Sequence, residues 1–481
     1  METPMARAEQ SPVRKLAGMD DDRLSSLPDE ILSYIISFLP TKFAVGTAVL
    51  GRRWKHLWTR VCNLDFDNTI WGCCHGAKSR HRKRTRRDEY FGFCRFVDRV
   101  LSEHKNLDSL KRLSLHFEEG YPYSYGNRYL WLKMELGSGS LLEEIDVNFK
   151  AEDGTGPTFP MHRLPEFFYT LTHLRVLKLD GVVMETGSSV FLPNMKNLQL
   201  LRVKKVDGES LGRLLSGCPA LETAHLETDH MKIDEYLRRK EECKLIASLP
   251  CLKNLTIVRF HCITHWAIEA PSIEHLHLRS VFAELQFLGS SKFPCLDSVT
   301  VLGSVGMIWE LCLLYFLQQI SNAKELSFSW QPLATLQVRC DFELPAFPNL
   351  THLKLAVDAS ILHRFLNSAP NLQSLVICME SKLGDSMIRR EPVPAYTPEC
   401  LLSSLEKIKI VNFEGVEDEK KMVAYLLKVG AVLKEVNVHV PRRRGPEFGK
   451  LASLLKLLPR GSSACEVLVF DEDDYFDDSD Q

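Results

Sequence analysis

No apolar run in the sequence approaches the ~18–20 residues that a membrane span needs; Leu311–Leu317 comes nearest and is too short. Met1–Arg23 has no apolar h-region, so no secretory signal is expected. Strong charge of either sign is missing as well: the formal net charge is −2, which argues against a wholesale polyanion binder. Phosphate-cradling glycine loops are absent, and Gly-Ser-Gly at 137–139 is a lone turn. Neither Gly-x-Ser-x-Gly nor His-Glu-x-x-His occurs, and no Cys/His pair stands in a catalytic context, so no enzymatic activity is expected. Cysteine is not scarce, at 14 residues, but spaced ligand pairs are. Cys73-Cys74-His75 and His261-Cys262…His265 each lack a second pair, which leaves no zinc template, and no metal or other cofactor is expected. Scattered cysteines in a long chain without a signal fit reduced thiols, and Cys251 and Cys262 read as buried structural ones. The expected location is the nucleus, the cytoplasm or both.

What is present is self-similarity. From residue 110 onward an apolar-x-x-apolar-x-apolar unit recurs, as in Leu174-x-x-Leu177-x-Leu179. First positions fall at Leu110, Leu142, Leu174, Leu198, Leu221, Leu252, Ile273, Leu296, Ala323, Leu350, Leu372, Leu405, Leu433 and Cys465. Steps run from 21 residues (Leu252 to Ile273) to 33 (Leu372 to Leu405), overlapping the ~20–29 of leucine-rich repeats. Alternation within the unit predicts a short strand with one buried face. Between units, Ser210–Leu215, Ser360–Leu366, Met422–Leu427 and Leu451–Leu458 have helical spacing. Prolines such as Pro219, Pro250, Pro271, Pro294, Pro348 and Pro370 set an extended entry to the next strand. Strand, turn, helix and turn repeated give an α/β solenoid with parallel strands on its concave face, here an irregular one. Side chains two, four and six places after each first position should face out of that sheet. They lean basic at Arg202 and Lys204, at His275, His277 and Arg279, and at Lys407 and Lys409, the candidate face for an acidic or phosphorylated protein segment.

Ahead of the repeats, residues 27–58 pack a dense apolar surface into three short predicted helices. Pro28 opens the first, Ile31, Leu32, Ile35, Ile36 and Leu39 recur at helical spacing, and Pro40 ends it. The second is predicted over Phe43–Val49 and the third over Arg52–Arg60, with Trp54, Leu57 and Trp58 along one side. So few residues bury little surface of their own, which leaves two readings: a cap on the following domain, or a docking element. Its Leu-Pro-Asp-Glu-Ile-Leu opening and Val-Leu-x-x-Arg-Trp close resemble the F-box. The resemblance implies docking onto a Skp-type adaptor, and through it a cullin-RING ubiquitin ligase. The implied adaptor-binding residues are Leu27, Pro28, Ile31, Leu32, Ile35, Leu39, Val49, Leu50, Trp54 and Leu57. Gly51 stands where F-box proteins usually carry Ser, so the third helix would lack a capping hydroxyl.

Cys400-Leu-Leu-Ser-Ser-Leu405-Glu-Lys-Ile-Lys-Ile410, Met422-Val-Ala-Tyr-Leu-Leu427 and Leu433-Lys-Glu-Val-Asn-Val438 resemble the FBD region of plant F-box proteins. With the F-box and repeats before it, the whole is similar to the plant F-box/FBD/LRR-repeat family. Leu64-Asp-Phe-Asp67 and Phe96-Val-Asp-Arg-Val-Leu101 look like that family's linking segment. The resulting organisation is a disordered N-terminus (1–22), an F-box (23–63), a linker (64–109) with a basic loop at 78–87, leucine-rich repeats (110–396), an FBD region (397–440), a C-terminal cap (441–470) and an acidic tail (471–481). The basic loop reads as a solvated insertion or a nuclear-import signal. Without interleaved aromatics, nucleic acid is not an expected partner. The resemblance implies a non-catalytic receptor whose solenoid holds an unidentified protein substrate; the alternative is an interaction scaffold with no ligase role.

Overall fold

The computed structural model describes residues 26–70, 86–105, 107–118, 140–150, 166–182, 189–203, 206–228, 243–260, 265–281, 284–288, 293–303, 307–333, 343–356, 359–379, 397–442 and 445–471, with a few single positions between. The basic run 78–87 falls mostly outside them. The N-terminus 1–22, the tail from residue 472, Lys204, Cys73, Cys74, His75, His261 and Cys262 lie outside entirely.

Strands β1 (Asn63–Asp67), β2 (Arg112–Glu118), β3 (Glu144–Lys150), β4 (Val176–Asp180), β5 (Asn197–Val203), β6 (Thr223–Thr228), β7 (Lys244–Ser248), β8 (Asn254–Val258) and β9 (His265–Glu269) come first. They are followed by β10 (His275–Arg279), β11 (Glu284–Phe287), β12 (Ser298–Leu302), β13 (Glu325–Phe328), β14 (His352–Leu355), β15 (Ser374–Cys378), β16 (Lys407–Val411), β17 (Glu435–Val440) and β18 (Glu466–Asp471). All but β7, β9 and β11 form one parallel 15-stranded sheet in chain order. The helices are α1 (Asp29–Ile36), α2 (Thr41–Gly46), α3 (Arg86–Glu103), α4 (Gly208–Ser216), α5 (Met307–Gln319), α6 (Ala359–Ser368), α7 (Glu399–Ser403), α8 (Glu417–Val429) and α9 (Gly445–Leu457). This is the expected α/β architecture, an all-helical start followed by a parallel-strand solenoid. No helix among the described residues is long and apolar enough to cross a membrane.

Every unit enters its strand in the same way. The two residues after the first apolar position both donate to one carbonyl of the preceding unit: Lys196 and Asn197 to Arg175, Glu222 and Thr223 to Lys196, Lys253 and Asn254 to Glu222. Side chains staple neighbouring turns just ahead of that point. Asn194 donates to the Thr172 carbonyl, Asn371 to Pro348 (2.8 Å), Ser272 to Pro250 and Ser404 to Pro370. Such a bond contributes about 1 kcal/mol net. Asn371→Ala should therefore lower the stability read from a urea midpoint by about that amount; an unchanged midpoint would show the staple to be idle.

The structure moves one repeat and adds another. Val176 pairs with Asn197 and Leu179 with Leu200, so the unit assigned to Leu198 begins three residues earlier, at Met195. Leu200, expected on the outer face, is fully buried; Asn197, Gln199 and Leu201 face out instead. Backbone geometry agrees. Gly181, Arg202, Arg259, Ser280, Gly303 and Asn412 all have positive φ and all stand seven places after a first position, once Met195 is the reference. At the other end, Val61-x-x-Leu64-x-Phe66 is itself a repeat unit, with β1 paired in register to β2. The segment resembling a linker therefore carries the first strand of the sheet.

Helices occupy the second layer where helical spacing predicts them, at α4, α6, α8 and α9. Between β6 and β12, however, the links hold β7, β9 and β11, which form a separate parallel sheet. Backbone contact closes the β7 end of that sheet. A Cβ on Gly208 of α4 would sit 2.3 Å from the Lys244 carbonyl oxygen, so only glycine allows the helix this near the strand.

One apolar core runs from Leu32 to Val467. Within the N-terminal helices Trp54, Leu57 and Trp58 share it with Val61, Leu64 and Phe66, and Phe66 meets Phe96 edge to face. The third helix is a 3-10 helix over Trp54–Arg60 with Arg53 at its cap, and α2 gives way to a 3-10 turn over Thr47–Leu50. Gly51 thus lies outside the capping position, and its extended backbone (φ 162°) is open to any residue. Cys94, Cys218, Cys378, Cys400 and Cys465 are buried, and burial pushes the Cys218 thiol up to about 12 and the Cys400 thiol to about 11. Cys251 departs from expectation: it is exposed, because it precedes the first apolar position of its unit rather than following it.

Candidate functional site: an exposed apolar face and a graded sheet

Helix α1 is apolar on two sides, and the structure separates them. Leu32 and Ile36 point into the core, Leu32 being fully buried. Ile31, Tyr34, Ile35 and Phe38, spaced i, i+3, i+4 and i+7, face solvent with Leu39, and Tyr34 stacks edge-on against Phe38 at 4.9 Å. Phe43, Leu50 and Val49 are also exposed, Val49 at 88% and Phe38 at 68%. Isolated exposed apolar residues are ordinary, but a group this dense marks an interaction site.

The expected adaptor-binding set therefore divides. Ile31, Ile35, Leu39, Val49 and Leu50 are exposed, Pro28 is exposed just before α1, and Leu27 is half-buried against the core. Leu32, Trp54 and Leu57 are corrected to core residues, since side chains that fill the shared interior cannot also touch a partner. Tyr34, Phe38 and Phe43 join the exposed set, and the helical period of α1 already placed the first two beside Ile31. Polar contacts hold the frame of this face. Arg53 bridges the Asp29 carboxylate (2.7 Å) and the Leu27 carbonyl, tying the third helix to the first, and Ser33 Oγ donates to the Leu57 carbonyl.

His104 joins the helices to the sheet, with Nε2 2.9 Å from the Val61 carbonyl. Burial holds its pKa below the ordinary 6.5, and burial does the same to His225. As pH falls through 6.5 the unfolded chain takes up these protons first, so stability drops on acidification. His116 opposes this. Its hydrogen bond to Asp146 (3.3 Å) raises its pKa, so its contribution is complete below 6.5 and is lost as pH climbs through the raised value. Between about pH 7.5 and about pH 5.5, His104→Gln should lose less melting temperature than the parent chain; equal losses would contradict this role for His104.

The outer face of the main sheet is graded along the solenoid. Six places after the first positions stand Asp67, Asp180 and Glu227 in the N-terminal half, together with His116, Asn148 and Leu201; further on, Arg279, Ser329, His439 and Asp471 share the place with Val258, Leu302, Ala356, Cys378 and Val411. The last three form a small apolar cluster with Trp330 and Val376, separate from the main core. Cationic groups pair with carboxylates in both halves: Lys324 with Asp297 and Lys434 with Glu406 in the C-terminal half, His116 with Asp146 and Lys178 near Glu144 and Asp146 in the N-terminal half. Arg202 also belongs here. It makes a two-pronged bond to Asp180, both contacts 2.7 Å, from a left-handed position near the end of β5, and Arg259, also left-handed, bonds Glu227 through Nη2. Arg202 is therefore a clamp between units and not the open-sheet residue that its assumed register made it. His275, His277 and Arg279 lie together on β10, and Lys407 and Lys409 on β16. His275 bonds Ser298 through Nδ1 at 2.8 Å. No group of three potential metal ligands occurs among the described residues.

Comparison with known proteins adds the family context. Residues 24–66 match the F-box domain model, residues 153–289 the LRR repeats of an FBD-associated F-box protein, and residues 393–438 the FBD model. An F-box/FBD/LRR-repeat protein of Arabidopsis thaliana is 29% identical over 465 residues, covering 93% of this chain and 98% of the relative. A putative FBD-associated F-box protein of the same plant is 28% identical over 467 residues, covering 93% and 100%. F-box/LRR-repeat protein 13, also from Arabidopsis thaliana, is 29% identical over 475 residues, covering 95% and 98%.

Proposed function

We propose that this chain, which carries the F-box, leucine-rich repeats and FBD region of the plant F-box/FBD/LRR-repeat family, is the substrate-recognition subunit of a Skp-cullin-F-box ubiquitin ligase. The observation that carries the reading is the exposed face of Ile31, Tyr34, Ile35, Phe38, Val49 and Leu50 on helices otherwise welded into the core. A helical element that served only as a cap would bury such residues. Burying a Val or Leu side chain at an interface is worth roughly 1.5–3 kcal/mol each, enough for a handful to anchor an adaptor. The chain contributes proximity and not chemistry, because the residues of this face are apolar and the transfer step falls to other subunits.

The solenoid then holds the protein substrate on its outer sheet face. The C-terminal half, with Lys407 and Lys409 on the strand that also carries Val411 of the Ala356–Cys378–Val411 cluster, and His275, His277 and Arg279 further along the sheet on β10, suits an acidic segment carrying an apolar anchor. Co-purification with a Skp-type adaptor tests the first step. The parent chain should retain the adaptor, and Val49→Asp with Leu50→Asp should release it while melting at the parent temperature. No adaptor with the folded parent would favour an interaction scaffold without a ligase role, and retention by the double variant would contradict the assignment of this face to the adaptor.

A further inference from the structure

Helix α9 packs on β18, the last strand of the sheet among the described residues. Its inner face is conventional: Leu455 is fully buried, Leu451 nearly so, and Phe448 and Leu458 pack against the core. The outer face is not. Leu454 is exposed, Leu457 is 85% exposed, and together with Gly449, Lys450, Ser453 and Leu458 they line a shallow apolar groove. In a solenoid each unit buries its apolar side against a neighbour, and among the described residues no unit follows β18.

We propose that the chain's own C-terminal tail, Glu472–Gln481, docks in this groove. Position is the first argument. Asp471 pairs with Val440, and α9 begins five residues after Val440, so the tail starts beside the N-terminal end of the helix. Gly449 to Leu457 spans about 12 Å at the helical rise of ~1.5 Å per residue. Tyr475 and Phe476 stand four and five residues past Asp471, a reach of roughly 13–18 Å at ~3.3–3.6 Å per residue. The aromatic pair therefore falls within reach of Leu454 and Leu457. Chemistry is the second argument. Tyr475 and Phe476 are the apolar residues of a tail that otherwise carries Glu472, Asp473, Asp474, Asp477, Asp478 and Asp480. The groove pairs an apolar floor with Lys450, and Lys456 is exposed on the same helix. A Cβ added at Gly449 would meet nothing within 4 Å, which leaves room for a ring. Because the linker is short, an effective concentration in the millimolar range lets a weak contact hold.

Photo-crosslinking of the full chain tests this, with benzoylphenylalanine in place of Phe476 and the linked peptides identified by mass spectrometry. The expected product is an intramolecular link to the segment 449–458, reduced at least about tenfold by Leu457→Glu, a change at an exposed site that leaves the melting temperature unaltered. A link between two chains would make a second copy the occupant. A link to the basic run 78–87, to any other segment, or no link above the dark control would equally overturn the proposal.

Discussion

Leu57→Ala should cost this protein about 2–5 kcal/mol and disrupt its N-terminal helices, the range for a large-to-small change in a closed core. Leu57 is 2% exposed, packs with Trp54, Trp58 and Val61, and lies where the third helix meets the first repeat strand. The cavity would open at a junction held from both sides, leaving little room for collapse. Tryptophan fluorescence during urea unfolding reads the effect directly, because Trp54 and Trp58 are its neighbours. The contrast with Val49 is what matters. Both positions fall within the same motif, yet Val49→Asp should leave the unfolding midpoint within about 0.5 kcal/mol of the parent, as exposed substitutions usually do. A stable Leu57→Ala variant that merely failed to bind the adaptor would place Leu57 at the interface and contradict its assignment to the core.

Gly181→Ala should be similarly damaging, at about 2–4 kcal/mol. Gly181 has φ 70°, and a left-handed conformation costs an L-residue roughly 1–2 kcal/mol. The added Cβ would lie 2.3 Å from the Phe149 carbonyl oxygen, a backbone atom of the neighbouring unit that cannot swing aside. Gly303, at the equivalent place, is the control. There the clash is with the Ser280 hydroxyl, which can rotate away, so Gly303→Ala should cost clearly less. Thermal unfolding of the two variants side by side decides the matter, and equal losses would mean that the backbone contact at Phe149 is unimportant. Arg202 and Arg259 adopt the same conformation without glycine, each held by a carboxylate of the preceding unit.

The i, i+3, i+5 pattern made the strands of the main sheet legible because each unit buries the same three apolar positions. It failed at one unit for a simple reason. Leu198-x-x-Leu201-x-Val203 satisfies the pattern as well as Met195-x-x-Leu198-x-Leu200 does, and the left-handed residue that settles the register is Arg202, a type that gives no such signal. Val61-x-x-Leu64-x-Phe66 also fits, but it follows the third helix so closely that it reads as part of a link. Strands β7, β9 and β11 were not legible, since four or five residues carry too little periodicity to tell from a turn. In the N-terminal helices composition alone could not sort Ile31 from Leu32 or Val49 from Leu57. All are apolar, and only packing against Val61, Leu64 and Phe66 decides which side chains the core takes and which it leaves outside.

The most direct test of the account is a calorimetric titration of the purified full chain with a Skp-type adaptor, repeated with Val49→Asp and Leu50→Asp together. Saturable one-to-one binding by the parent and a loss of at least about 30-fold in the variant are expected, as for truncation of interface anchors, with identical melting temperatures. Equal affinity of the two chains, or no binding by a folded parent, would contradict it.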